Sequence, residues 1–89
     1  MEKHLFREAT VGSWLKGLLD ETNITQTRLS DLTGHSIATI NRIIHGKGKR
    51  TSPSTATNIL RALFPYDTER QAKEFTIFKT LNNNSNKNK

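Results

Sequence analysis

At 89 residues and a net charge of +6, the chain is long enough for one domain with a modest core and too short for two. It contains no cysteine, which excludes disulfides and thiolate metal sites, and no apolar run approaches the ~20 residues of a membrane span. The opening MEKHLFREAT lacks the apolar stretch of a signal peptide, so the expected location is the cytoplasm.

Helix-favouring residues recur, glycine and proline punctuate, and no stretch alternates with period two for long enough to form a strand. The expected class is all-α. Residues 1–9 place Leu5 and Phe6 among charges and read as an N-terminal arm or an early turn of the first helix. Thr10 is a candidate N-cap, after which Val11, Trp14, Leu15, Leu18 and Leu19 follow the i, i+3, i+4, i+7, i+8 spacing of one buried face. That spacing predicts helix 1 over 10–21, with Trp14 in the core. Gly12 and Gly17 each cost roughly 0.5–1 kcal/mol relative to alanine, so packing rather than propensity must hold this helix.

Thr25 caps a second helical pattern containing Leu29 and Leu32, with the small Ser30 between them. Gly34 follows, and a third pattern places Ile37, Ile40, Ile43 and Ile44 at helical spacing. Two short helices joined at a glycine over residues 26–46 have the spacing of a helix-turn-helix, whose turn calls for a residue that tolerates positive φ. Ser36 is a candidate cap for helix 3, 36–45, and its hydroxyl and neighbouring amides are suited to a phosphate. With Ile40 and Ile43 turned inward, the outward face carries Ile37, Ala38, Asn41, Arg42 and His45, with Thr39 at its margin. Arg42 can reach guanine O6 and N7, Asn41 can pair with adenine N6 and N7, and Ile37 and Ala38 suit a thymine methyl. Ile37 can alternatively pack against helix 2 or a neighbouring chain. His45 reads as a phosphate donor, because His4, His35 and His45 lack ligand spacing and acidic or thiolate partners; no metal site is expected.

Residues 46–51, Gly46-Lys47-Gly48-Lys49-Arg50-Thr51, combine two lysines and an arginine with two glycines. Lys47, Lys49 and Arg50 are expected to position the domain on phosphates rather than to read bases; a solvated loop is the alternative. Ser52-Pro53 starts helix 4 over 53–64, whose apolar face is Ala56, Ile59, Leu60, Leu63 and Phe64. Pro65 ends it, and Asp67 or Thr68 caps helix 5 over 68–81. Its stripe of Ala72, Phe75, Ile77, Phe78 and Leu81 either folds back on helix 1 or pairs two chains, making Phe75, Phe78 and Leu81 the candidate dimer contacts. The closing 82–89, NNNSNKNK, is low in complexity and expected to be a disordered polar tail.

The motif resembles the helix-turn-helix of the lambdoid phage repressors and Cro proteins, the Xre or Cro/C1-type family, without a gap. Gln26 opens the first helix of the pair, Gly34 occupies the turn, Ile40 and Ile43 stand at core positions, and the basic loop follows. Counting the flanking helices, the likeness covers roughly residues 10–64. Ser30 departs from the usual alanine and Thr33 from the usual apolar residue. The resemblance implies a compact five-helix lambda-repressor-like domain over 10–81. It also implies that the Gln26 side chain lies near both a DNA phosphate and the recognition helix.

The charge is unevenly distributed: residues 1–31 carry a net −1, residues 32–66 a net +5 with no acid, and residues 67–89 a net +2. A polyanion is drawn to such a stretch because each neutralised phosphate releases a counterion. No arrangement of nucleophile, general base or paired carboxylates supports an enzyme, and no cofactor is expected. The function expected from motif and charge is a sequence-specific double-stranded DNA-binding regulator, a repressor or Cro-like switch, acting as a homodimer on an inverted repeat. The alternative is a protein-interaction adaptor, antirepressor or antitoxin-like, with Ile37, Phe75 and Phe78 facing a protein partner. RNA binding is disfavoured by the lack of an exposed aromatic pair.

Overall fold

Thr10 starts the first helix with a reciprocal cap: its hydroxyl accepts from the Ser13 amide at 3.1 Å, and its own amide donates to the Ser13 hydroxyl at 2.9 Å. The computed structural model describes residues 10–46 and 50–87. The elements are α1 (Val11–Thr22), α2 (Gln26–Thr33), α3 (Ile37–His45), α4 (Pro53–Leu63) and α5 (Thr68–Lys87), with no strand among the described residues. The arm assigned to residues 1–9 and the loop positions Lys47, Gly48 and Lys49 lie outside them.

Local chemistry sets each boundary. Thr25, Ser36 and Ser52 each offer a hydroxyl to the amide three residues on, at Arg28, Thr39 and Thr55, and Pro53 occupies the first turn of α4. Asp67, one of the two candidate caps for α5, accepts from the Arg70 amide at 3.0 Å. Asn23 closes α1 in the left-handed conformation at φ 61°. α1, α3 and α4 begin and end within a residue of the bounds expected from spacing.

The apolar faces meet in one core. Leu15, Leu18 and Leu19 of α1, Leu29 of α2, Ile40 of α3 and Ile59, Leu60 and Leu63 of α4 are buried together, while Val11, Ala56 and Phe78 form a second cluster beside them. Trp14, expected in the core, is half-buried, since its indole N–H must reach a polar partner. Leu32 remains 44% exposed because the two-turn α2 directs Leu29 inward in its place.

α5 differs from its expected form in two ways. It continues to Lys87, so residues 82–87, assigned above to a disordered tail, extend the helix. The buried face passes from Phe75 and Phe78 to Asn82 at i, i+3 and i+7, and this last residue is only 5% exposed. Second, Phe78 is 1% exposed and stacks in a tilted arrangement on Trp14 and Phe75, with ring centroids 5.7 Å apart in each pair. The helix therefore folds back on α1, and Phe78 leaves the set of candidate dimer contacts. Phe75 and Leu81 are half-buried.

A polar chain locks α5 to α1. Glu74, 5% exposed, accepts from the Trp14 indole at 2.9 Å and from Arg70 Nε at 2.8 Å, and Arg70 also donates to Glu21 at 2.7 Å while lying over the Phe64 ring. The Arg70 hydrogen bond holds the Glu21 carboxyl below its ordinary 4.5. A carboxyl with a depressed folded pKa stabilises the fold above its unfolded value, and that contribution is lost as pH falls through the folded one. Stability measured against pH should therefore decline on the acid side of 4.5, and less steeply in Glu21→Gln. Chemical denaturation of both proteins through that range checks this; parallel acid limbs would assign the decline to other carboxyls.

Candidate nucleic-acid interface

α2 and α3 are joined by a turn closed by local hydrogen bonds, although the buried His35 Nε2 has no hydrogen-bond partner among the described residues. Gly34 adopts φ 82°, where a side chain would be strained, and its amide donates to the Ser30 carbonyl at 2.9 Å. The Ser30 hydroxyl donates to the His35 carbonyl at 2.6 Å. Thr33 donates to the Leu29 carbonyl at 2.8 Å and accepts from the His35 amide at 3.2 Å. The two departures from the usual residues thus both serve the turn, and the Thr33 hydroxyl is satisfied as donor and acceptor.

α3 is held from behind. Ile40 is fully buried, and Ile43 and Ile44 pack half-buried against the core. Gly12 of α1 sits against the end of α3 so closely that a Cβ there would collide with the Ile44 carbonyl oxygen and come within 2.9 Å of the Ile43 oxygen. Spacing alone marked Gly12 only as a weak point of α1; the close helix crossing explains its presence.

The opposite face of α3 is open. Ile37 is 46% exposed, and Ala38, Asn41, Arg42 and His45 are exposed beside it. All the candidate base-reading residues share this outward face. Gln26 lies beside it, its side-chain oxygen 3.4 Å from the Asn41 amide nitrogen, matching the proximity to the recognition helix that the resemblance implied.

On the flank of α3, an open groove of about 320 Å³ is lined by Thr39, Arg42, Arg50, Thr51, Ser52 and Thr55. The candidate phosphate residues divide accordingly. Thr39 and Arg50 border the groove, and Ser36 lies at the start of α3 with its hydroxyl 3.0 Å from that of Thr39. Gln26 stands at the start of α2 and His45 at the end of α3. Lys47 and Lys49 lie outside the described residues.

The family model for the Cro/C1-type HTH DNA-binding domain matches residues 15–63. The chain belongs to this family. The matched span begins within α1 and ends with α4, so it takes in the helix pair and the basic loop and leaves α5 outside. No curated protein and no solved structure matches the chain. As a Cro/C1-type domain it is a helix-turn-helix DNA-binding protein. The Trp14–Glu74–Arg70–Glu21 chain and the buried Asn82 both involve α5, which lies beyond the matched span. Sequence reading missed them because polar residues at Glu74 and Asn82 interrupt the apolar stripe.

Proposed function

We propose that this Cro/C1-type domain is a sequence-specific regulator of the repressor or Cro type. α3 enters the major groove, Arg42, Asn41, Ile37 and Ala38 meet base edges, and Gln26, Ser36, Thr39, His45, Lys47, Lys49 and Arg50 meet phosphates. The observation that carries this reading is the outward face of α3, where an isoleucine 46% exposed stands beside Asn41 and Arg42 in a stretch of the chain with no acid. Such a face is well matched to a groove with thymine methyls and a polyanionic rim. Two copies on an inverted repeat would set their recognition helices roughly 34 Å apart, in successive major grooves. The burial of Phe78 weakens the adaptor alternative, because it withdraws one of the residues that were to face a protein.

Arg42→Ala is expected to reduce affinity by about 1–3 kcal/mol for the preferred site and to relax preference at one base position in each half-site. Titration of single-base variants of that site with both proteins reads this directly. Equal weakening on every sequence would move Arg42 from the bases to the backbone, and protection of a single half-site by a monomer would contradict the dimer.

A further inference from the structure

The carboxamide of Asn82 makes two hydrogen bonds to one residue far away in the chain: Thr51 N–H donates to Asn82 Oδ1 at 3.0 Å, and Asn82 Nδ2 donates to the Thr51 carbonyl at 3.0 Å. The side chain thereby saturates both backbone groups of Thr51, as a neighbouring strand would. Asn82 is 5% exposed and Thr51 half-buried, so neither pairing is readily replaced by water. Thr51 follows Arg50 and precedes Ser52, the cap of α4, and all three line the groove beside α3. No other side chain among the described residues hydrogen-bonds to the backbone of Arg50 or Thr51.

We propose that Asn82 is a positioning residue for DNA binding: through Thr51 it holds the Arg50–Ser52 segment in the place from which Arg50 meets a phosphate. The inference rests on the DNA-binding face proposed above and adds α5, which lies beyond the family match, to the machinery that serves it. An unheld segment must be ordered as the complex forms or give up its phosphate; ordering one residue's backbone lowers affinity by about tenfold, so Arg50 is left off the phosphate in much of the complex. Because Arg50 is assigned to the backbone, the loss falls on all sequences alike and leaves base preference intact.

The test compares wild type, Asn82→Ala and Trp14→Phe on a selected duplex and on an unrelated duplex, each titrated at several salt concentrations with folding monitored by circular dichroism. Trp14→Phe serves as control because it removes the bond to Glu74 and loosens α5 without touching Thr51. The expected result is a loss of about tenfold per protomer on both duplexes for Asn82→Ala, together with a salt slope shallower by about one phosphate per protomer, two for the dimer, while Trp14→Phe keeps the wild-type slope. An unchanged affinity and slope in folded Asn82→Ala would overturn the positioning role, as would the same change of slope in Trp14→Phe. Hydrogen exchange of the wild-type Thr51 amide adds a readout independent of any variant: it should be protected, and exchange at the rate of an open chain would also overturn the proposal. Failure of the wild type itself to bind either duplex would instead remove the DNA-binding reading on which the proposal stands.

Discussion

Gly12→Ala should destabilise the domain by about 3 kcal/mol or more and displace the end of α3. Helix propensity alone argues the reverse, since alanine in place of a mid-helix glycine normally gains roughly 0.5–1 kcal/mol. At Gly12 the added carbon would strike the Ile44 carbonyl oxygen and lie 2.8 Å from its carbon. That obstacle is backbone, which cannot rotate away, so relief requires α1 and α3 to separate. Separation would loosen Ile40 and Ile43 from the core that fixes the recognition helix. Gly17 supplies the internal control: it is exposed, nothing lies within 4 Å of a Cβ added there, and Gly17→Ala should be more stable than wild type by the propensity difference. Thermal and denaturant unfolding of the two variants should shift in opposite directions, with loss of DNA affinity confined to Gly12→Ala. A stabilised Gly12→Ala would mean that the helices do not cross so closely.

Phe78→Ala is expected to remove about 3–5 kcal/mol, a large part of the stability of a domain this size. The ring is 1% exposed between Val11 and Ala56, with Trp14 and Phe75 tilted against it, and α1 and α4 cannot close over the space it leaves without breaking their own contacts. The loss should be the same at every protein concentration, because the contact lies within one chain. Melting curves collected across a wide concentration range make the check. A wild-type midpoint that rises with concentration and a variant midpoint that does not would restore Phe78 to an interface between chains. The variant should also bind DNA more weakly than its folded fraction accounts for, since Phe78 lies one turn before Asn82 and anchors the part of α5 that reaches Thr51.

Much of the path to the interface was legible in the residues. The hydroxyl caps at Thr10, Thr25, Ser36 and Ser52 stand where apolar periodicity begins, so the starts of four helices followed from local chemistry. The outward face of α3 followed as directly, because the burial of Ile40 leaves Ala38, Asn41 and Arg42 on the far side of a helix of 3.6 residues per turn. Three features did not follow, for a shared reason: each depends on a partner distant in the chain. Gly12 looks like a defect until α3 lies across it. Glu74 looks like a solvated charge until Trp14 and Arg70 supply its donors. Asn82 opens a run of asparagines whose composition suggests disorder, and only the turn-by-turn spacing from Phe75 and Phe78 marks it as inward-facing.

The central claim, that α3 presents a face that reads DNA sequence, is tested most directly by offering the protein a pool of random duplexes at two salt concentrations and sequencing what is retained. The expected result is enrichment of an inverted repeat, bound with a logarithmic salt slope near −7, corresponding to about eight phosphates neutralised per dimer. Retention without enrichment would contradict sequence reading while leaving a non-specific binder, and no retention at low salt would contradict DNA binding through this face altogether.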